Sequence, residues 1–377
     1  MAKIGIIHHS LNSCGGGELL SLTVAKTLKE RGYEITYYTT QKTDWNYVKS
    51  VLGISFKPDH EKCVFKVKIP YFGIYQRLIT GFLSNAIKEC DLVINTHGDV
   101  MPFVNADITY MHYPTFSLWY ESPVNVKYLK SLFWRSYFIP YYTIQKYLVK
   151  RTTCIILTNS KFSQKAIWKH VGKKSIVVYP PVNIKPYTKL VGKKNRENIV
   201  VTIGRFTPEK RYEDVLEIAS KTPYIKYIIV GSVPNKLSMQ YFSKIKTLLL
   251  KKKLRNVILL PNLRFIDKLR ILSKAKVYLH TMINEHFGIA IVEGMAAGLV
   301  PVVHMSGGAW EDILDGKQGI HGYAFKNVKE AVNYIENIIL DENLRKEIVS
   351  NNLNYVQKFS TEKFKERVVR IIEVFLK

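Results

Sequence analysis

Cysteine is scarce in this chain. Only four cysteines occur among its 377 residues, and no two of them have CxxC spacing: Cys14, Cys63, Cys90 and Cys154. This pattern argues against a zinc site built from cysteines and against a disulfide framework, and it fits a reducing compartment. We therefore expect no disulfide and no metal ion, and we expect a cytoplasmic protein.

Long apolar runs are also missing. No stretch of 18 apolar residues exists, so we expect no helix that spans a membrane. The N-terminal segment MAKIGIIHHS contains an apolar run that is too short for the core of a signal peptide. We expect this run to form a first buried strand instead.

Acidic residues are few relative to basic ones. The chain has 30 Asp and Glu against 56 Lys and Arg, which gives a net charge of +26. Residues 1–185 carry half of this excess, so it does not form a basic tail. Such a field favours anionic partners, namely nucleotides, phosphates, acidic lipids or nucleic acid. A genome rich in lysine and isoleucine would give the same excess, so the charge alone selects none of these partners.

The chain does contain a regular alternation of strand-like and helical runs. It extends over most of the first 170 residues and restarts at residue 199. The expected strands are 3–8, 34–39, 92–95, 108–111, 155–158, 199–203, 227–230, 257–260 and 277–280. The expected helices are 19–31, 75–89, 163–169, 211–221, 239–252 and 266–275. This repetition predicts an α/β protein with two doubly wound, Rossmann-like domains.

The break in this alternation falls between residues 179 and 198, where three prolines occur and no periodicity is visible. We therefore expect a first domain over 1–183 and a second over 184–360. Residues 361–377 are expected to form an amphipathic helix that packs back on the first domain. Two such domains would leave a cleft between the loops at the carboxyl ends of their strands.

The segment NEHFGIAIVEGMAAGLVPVV, residues 284–303, contains two carboxylates, Glu285 and Glu293, eight positions apart. One interpretation is a helix with a solvated Glu near each end. The small residues 294–298 and the strand-like run 299–303 favour a loop, a buried helix, a tight turn and a buried strand. Glu285 would then lie in the loop and Glu293 in the helix. That separation suits two ends of an elongated ligand better than the paired carboxylates of a glycosidase.

A glycine-rich segment, SCGGGE at 13–18, follows the first strand and opens the first helix. Its glycines allow close backbone approach to a ligand, and a helix N-terminus offers N–H groups to an anion. The alternative is a plain tight turn. The segment is not GxGxxG, and no acidic residue ends the second strand, so NAD binding is disfavoured.

Two further loops carry candidate polar groups. Arg205 and Lys210 follow the first strand of the second domain, where a pair of cations suits a diphosphate; solvated surface charge is the alternative. His112 ends a strand beside a Tyr-Pro turn and could contact a ligand or transfer a proton. A satisfied structural histidine is the alternative, as it is for His97.

Residues 128–151 combine eight aromatic and five basic residues and contain no acidic residue. This composition favours a segment that lies in a membrane interface. A core-packing helix pair broken at Pro140 explains it equally well. Aromatics among lysines also suit single-stranded nucleic acid, but that hypothesis explains none of the other motifs.

Taken together, these motifs resemble the family-4 retaining glycosyltransferases, which have the two-domain GT-B architecture. The ordered match covers almost the whole chain. Its most specific part is the pair Arg205 and Lys210, followed by the E-x7-E motif. Within the family, the segments GGGE, HYPTFS, NSKFS, VYPPVN and EHFGIAIVEGMAAGLVPVVHMSGG look like the branch that transfers mannose from GDP-mannose in the dolichol pathway. The chain differs from that branch because no N-terminal membrane helix is expected.

The resemblance implies a role for each candidate residue. Glu285 would face the donor sugar, and Glu293 would hold the ribose hydroxyls. Arg205 and Lys210 would take the leaving diphosphate, and His112 would contact the transferred sugar. Backbone groups would meet the donor diphosphate near Phe287, Gly288, Ile289 and Ala290. At Gly16 and Gly17 the lack of side chains would let phosphate and acceptor approach the backbone closely.

The implied reaction is hexosyl transfer that retains the anomeric configuration. It would use no metal and no cofactor, because the DxD pair that holds a metal in other glycosyltransferases is absent. We expect a nucleotide sugar and a glycan acceptor, lipid-linked by preference, as partners, with 128–151 on an anionic membrane and no nucleic acid. The alternatives are a family-4 enzyme that uses a UDP-sugar on a soluble acceptor, a sugar-nucleotide epimerase and a basic nucleic-acid-binding protein.

Overall fold

The computed structural model describes residues 2–67, 73–114, 131–192 and 196–376. The chain divides into two compact units. Unit 1 comprises Met1–Pro181 together with Thr361–Lys377, and unit 2 comprises Val182–Ser360. Each unit is built on its own parallel sheet, as the repeated alternation predicted. The α/β class is therefore confirmed, whereas the cleft between the domains stays a prediction.

The sheet of unit 1 has seven strands in the order β3-β2-β1-β4-β5-β6-β7, and the strands pair in parallel. The strands are β1 Lys3–Ile7, β2 Glu34–Gln41, β3 His60–Phe65, β4 Leu92–Asn95, β5 Ile108–Tyr110, β6 Ile155–Thr158 and β7 Ile176–Val177. The central strands are nearly continuous apolar runs because helices cover both faces of a parallel sheet.

Seven α-helices of unit 1 are described. They are α1 Gly16–Glu30, α2 Trp45–Leu52, α3 Gln76–Ile79, α4 Ser84–Ile87, α5 Leu132–Arg151, α6 Lys161–Val171 and, at the C-terminal end of the chain, α14 Thr361–Phe375, with a 3₁₀ turn over Thr80–Leu83 between α3 and α4. Helix α14 buries Phe364, Val368 and Ile372 in the same apolar cluster as Ile4 and Leu20.

The sheet of unit 2 has six parallel strands in the order β10-β9-β8-β11-β12-β13. The strands are β8 Ile199–Ile203, β9 Lys226–Gly231, β10 Val257–Pro261, β11 Val277–His280, β12 Val300–His304 and β13 Tyr323–Phe325. The helices are α7 Lys185–Thr188, α8 Tyr212–Lys221, α9 Lys236–Lys251, α10 Phe265–Lys274, α11 Ile289–Ala296, α12 Val328–Leu340 and α13 Glu342–Tyr355. Strands β8 and β11 pair in the middle, so the loops at their carboxyl ends are neighbours.

One expectation about a helix in unit 1 was wrong, and one alternative for residues 128–151 is excluded. The single helix expected over 75–89 is a succession of short α and 3₁₀ segments, and Gly81, in the 3₁₀ segment, lies against the chain at Pro102. A Cβ on Gly81 would lie 2.4 Å from the Pro102 carbonyl oxygen. Conversely, Pro140 does not divide 132–151 into two helices, since α5 runs through it.

A side chain of helix α5, Gln145, binds both backbone polar groups of Val100 and so holds the helix in place. The Gln145 amide accepts from the Val100 N–H at 3.1 Å and donates to the Val100 carbonyl at 2.8 Å. Phe138 and Tyr141 are buried beside it. These contacts offset the hydrogen bond that a proline removes from a helix interior. No helix among the described residues is long and apolar enough to cross a membrane.

Candidate active site

The loop that follows β11 carries Glu285, and it lies beside the loop that follows β8. The Lys210 ammonium is 2.7 Å from Oε2 of Glu285, and Nε2 of His280, the last residue of β11, is 3.1 Å from the same oxygen. All three side chains are largely buried. The structure therefore brings together two predicted residues, Lys210 and Glu285, and adds His280 to them.

Electrostatics keep Glu285 ionised. Burial alone would raise its pKa, but the Lys210 ammonium and the His280 imidazole outweigh burial and hold this pKa well below the ordinary value. Burial lowers the pKa of His280, so this imidazole is neutral at pH 7 and donates its Nε2 proton to the carboxylate. An ionised carboxylate only accepts hydrogen bonds, which suits it to bind sugar hydroxyls and not to act as a general acid.

The backbone around Glu285 is fixed by two glycines from the loop after β12. The Gly308 N–H donates to the Glu285 carbonyl at 2.7 Å. A Cβ at Gly308 would lie 2.3 Å from the His286 carbonyl oxygen, and one at Gly307 would lie 2.5 Å from the Glu285 carbonyl oxygen. Only glycine permits this approach, so the run Ser306 to Gly308 determines where Glu285 is held.

Helix α11 begins directly after this loop. Its N-cap, Gly288, has a φ of 104°, a left-handed conformation that favours glycine. As the first helical residues, Ile289 and Ala290 have N–H groups with no acceptor inside the helix, so this end can receive an anion. Phe287 is buried and packs against Phe359, which anchors the start of the helix.

Glu293 lies inside α11, as predicted, and has its own cation. The Lys268 ammonium is 3.2 Å from Oε2 of Glu293 and donates to the Tyr187 hydroxyl at 2.7 Å. Burial and the charge of Glu293 raise the pKa of Tyr187, so this hydroxyl stays protonated. The two carboxylates of the E-x7-E motif therefore belong to separate polar clusters. Glu285 lies in the loop before α11, and Glu293 lies inside α11.

Arg205 lies after β8 in the same region but is exposed. Among the residues that the structure describes, no carboxylate pairs with its guanidinium. It remains available to a ligand, whereas Lys210 is already engaged with Glu285.

The candidate residues of unit 1 form a second group. Gly16 and Gly17 are the first two residues of α1, so their N–H groups are at a helix N-terminus. A Cβ on Gly17 would lie 3.4 Å from Nε2 of His112, which places the two residues side by side. The Gly15 N–H is already taken by the Glu18 carboxylate at 2.7 Å.

His112 is a neutral hydrogen-bonding group in this environment. Burial, followed by the neighbouring His8 and His97, lowers its pKa to about 4. Its Nε2 is 3.3 Å from the Thr96 carbonyl oxygen. A carbonyl only accepts, so Nε2 carries the proton and Nδ1 is left to accept from a ligand hydroxyl.

Sequence reasoning missed three residues of these clusters. His280, Lys268 and Tyr187 contact Glu285 and Glu293 through the fold. A polar residue that ends a central strand, as His280 does, was a usable signal. Lys268 and Tyr187 gave none, because one is an ordinary helix lysine and the other follows a proline in the linker.

Comparison with known proteins identifies the family. Residues 184–354 match the family model described as glycosyl transferases group 1. The chain is 27% identical to the human protein named GDP-Man:Man(3)GlcNAc(2)-PP-Dol alpha-1,2-mannosyltransferase, over 99% of this chain and 87% of that protein. The protein of the same name from Xenopus laevis is 32% identical over 54% of this chain and 47% of its own length. Residues 184–354 therefore carry a group 1 glycosyltransferase domain.

The fold of this glycosyltransferase matches solved structures along its whole length. The Anabaena HepE protein, solved in complex with UDP and glucose, has a TM-score of 0.74 at 18% identity and covers 99% of this chain and 100% of its own. The GT-B architecture is therefore confirmed, and the chain is an enzyme of the hexosyltransferase class. Lys210, Glu285 and Glu293 all lie inside the matched group 1 domain.

Proposed function

We propose that this glycosyltransferase moves mannose from GDP-mannose to a lipid-linked glycan, with retention of configuration and without a metal. The proposal is supported by the names of the relatives, which include GDP-mannose and a dolichol-linked acceptor. The observation that carries it is the cluster of Lys210, His280 and Glu285 at the start of a helix that presents Glu293.

The donor would bind along the start of α11. The ionised Glu285 carboxylate accepts hydrogen bonds from the sugar hydroxyls, and Glu293 accepts them from the ribose. Between them the diphosphate meets the N–H groups of Ile289 and Ala290, where the helix dipole favours negative charge. The positive φ at Gly288 exposes these groups.

Cations of the protein would take the role that a metal has in other glycosyltransferases. Charge develops on the diphosphate as the bond to the sugar breaks, and fixed cations beside it lower the barrier. Lys210 is held in place by Glu285, and Arg205 is exposed and can close on the ligand. No side chain is assigned as nucleophile, because the departing phosphate is the base on the face where the new bond forms.

Unit 1 would contribute His112 and the start of α1. Neutral His112 accepts a hydrogen bond from the transferred sugar at Nδ1. The absence of side chains at Gly16 and Gly17 lets phosphate or acceptor approach the helix N-terminus closely. Any side chain at Gly17 would fill the space beside His112.

A surface of α5 would bring the enzyme to its acceptor at an anionic membrane. Leu132 is 82% exposed and Phe133 is 70% exposed, and they lie near the start of the helix. Basic residues follow along the same helix at Arg135, Lys146, Lys150 and Arg151. Apolar side chains with cations and no acidic residue are typical of interfacial helices. Residues 128–130 of the predicted segment lie outside the described residues.

Thermal-shift titration with GDP, UDP and ADP tests the donor. A ligand that binds only the folded state raises its melting temperature. We expect GDP to raise it most, and we expect the same increment in EDTA. Measured against its own ligand-free melting temperature, the Glu293→Ala variant should lose most of the GDP increment, because the ribose loses its acceptor.

A larger increment with UDP would keep the fold and reject the proposed donor in favour of a UDP-sugar enzyme. An equal GDP increment in Glu293→Ala would reject the ribose assignment. No increment with any of the three nucleotides would reject the nucleotide-sugar site itself.

A further inference from the structure

Three histidines meet at the carboxyl ends of β1 and β4 in unit 1. His8 and His9 follow β1, and His97 follows β4. One ring nitrogen from each lies within 4.8 Å of the others. Nδ1 of His9 and Nδ1 of His97 are 2.9 Å apart. The glycosyl transfer described above uses none of these side chains.

The contacts of the His8 ring indicate which of its two nitrogens can bind a metal ion. The Thr96 hydroxyl donates to the Ser21 hydroxyl oxygen, 2.8 Å away, or to the Ile7 carbonyl oxygen, 3.1 Å away, so its proton is directed away from His8. The same hydroxyl therefore accepts from Nδ1 of His8 at 3.0 Å. Nε2 of His8 is buried, has no hydrogen-bond partner among the described residues and faces Oε1 of Glu18 at 3.6 Å, so either a proton or a metal ion belongs between these two atoms. Unpaired buried polar atoms are rare and call for a ligand.

His97 is oriented in a similar way. Its Nε2 faces the Asp99 carboxylate at 3.4 Å, so the proton is on Nε2 and the lone pair is on Nδ1, which faces His9. A carboxylate behind a histidine is the usual second partner of a metal-binding imidazole.

We propose that His8, His9 and His97 bind one Zn²⁺ ion, or a transition-metal ion of similar preference, through Nε2 of His8 and Nδ1 of the other two. Imidazole nitrogens are preferred ligands of zinc, and Zn–N distances of about 2.0–2.1 Å place the donor atoms about 3.3 Å apart. The nitrogens of His9 and His97, now 2.9 Å apart, would separate slightly, and all three ligand atoms already lie within 4.8 Å of one another. Water completes the four-coordinate site.

The proposed ion ties the ends of β1 and β4 together behind the start of α1. Its ligands are not among the residues assigned to the donor, and the proposed transfer reaction does not use it. A stabilising role is therefore expected, read out by binding and by melting temperature, and this outcome does not depend on the nucleotide increments described above.

Zinc titration of the full chain tests the proposal. The protein is first stripped with EDTA and dialysed, then titrated with Zn²⁺ against a chromophoric zinc chelator. We expect one equivalent per chain and a rise in melting temperature. His97→Gln and His9→Gln should each weaken binding at least about tenfold, since even outer partners of such sites contribute 10–100-fold. His60→Gln is the matched control, because His60 is an exposed histidine of the same unit.

Cobalt provides a measurement on the unchanged chain. A four-coordinate Co²⁺ adduct with nitrogen ligands gives intense visible absorption bands, and zinc should displace them. The proposal is overturned if wild type binds no stoichiometric zinc, or if His97→Gln and His9→Gln, shown folded by circular dichroism, bind as tightly as His60→Gln does. A cobalt spectrum typical of six-coordinate aqueous ion would overturn the assigned ligand set.

Discussion

Lys210 is the cation closest to Glu285, and its charge matters most as the donor diphosphate departs. We expect Lys210→Ala to lower kcat by roughly 10²–10³-fold and to change GDP affinity far less, because the interaction strengthens in the transition state. Steady-state kinetics together with GDP titration separate the two effects. Lys251→Ala, an exposed lysine of the same unit, is the control. A Lys210→Ala enzyme with unchanged kcat would refute the assigned role.

Glu285 should also make stability depend on pH. Its folded pKa is held well below the ordinary value of 4.5, so its ionised form stabilises the fold above that pH. The contribution is lost as pH falls from about 4.5 through the lower folded pKa. Urea unfolding of wild type and Glu285→Gln should give a constant difference in the free energy of unfolding from pH 8 to 5. That difference should shrink below pH 4.5; one that grew on acidification would contradict this assignment.

The sequence was sufficient to predict on which loop or helix a candidate residue lies. Lys210, Glu285 and Glu293 follow strands or lie in a helix where the alternation placed them. Their partners could not be predicted, since Lys268 reaches Glu293 and His280 reaches Glu285 only through the fold. The histidine cluster was missed for the same reason: His97 is distant in sequence from His8 and His9, and sheet order alone makes them neighbours.

The loop that precedes α11 depends on glycines of a different loop. Gly308→Ala places a Cβ 2.3 Å from the His286 carbonyl oxygen, and backbone cannot yield as a flexible side chain does. We expect the loop bearing Glu285 to shift and the GDP increment in melting temperature to fall severalfold. Gly316→Ala is the control, because its Cβ would meet nothing within 4 Å although its φ is 65°.

The control variant Gly316→Ala should itself be less stable than wild type. Its positive φ should cost about 1 kcal/mol of stability while GDP binding is kept. An equal GDP increment in Gly308→Ala and wild type would show that the contact at His286 does not position Glu285.

Strands and helices were predictable where an apolar pattern dominates. The strands Leu92–Asn95, Ile155–Thr158, Ile199–Ile203 and Val277–His280 have the predicted bounds. The edge strand β3, His60–Phe65, was missed because four of its six residues are polar or cysteine. The pattern also could not show that Gly81, within the helix expected over 75–89, lies against Pro102.

Composition could not decide whether residues 128–151 form a membrane surface or a core helix, because α5 has both buried and exposed aromatic and apolar side chains. Phe138 and Tyr141 are buried, whereas Leu132 and Phe133 are exposed. Deletion of 128–151 would therefore damage the unit as well as the surface. The exposed face has to be tested by point substitution.

The double substitution Leu132→Ser with Phe133→Ser tests membrane binding. We expect at least about tenfold weaker partitioning to vesicles that contain phosphatidylserine, because each large apolar side chain contributes about 1.5–3 kcal/mol when fully buried. Liposome flotation measures this. Leu340→Ser is the control, since Leu340 is 76% exposed on unit 2. Undiminished binding by the double variant would reject α5 as the membrane surface.

Mannosyl transfer itself is the most direct test of the account. Purified full chain is incubated in EDTA with GDP-mannose or UDP-glucose and a lipid-linked oligosaccharide or a soluble glycan, and the acceptor is analysed by mass spectrometry. We expect one hexose to be added from GDP-mannose to the lipid-linked acceptor, and we expect Lys210→Ala nearly to abolish this product. Addition from UDP-glucose alone, or addition only to the soluble glycan, would contradict this account.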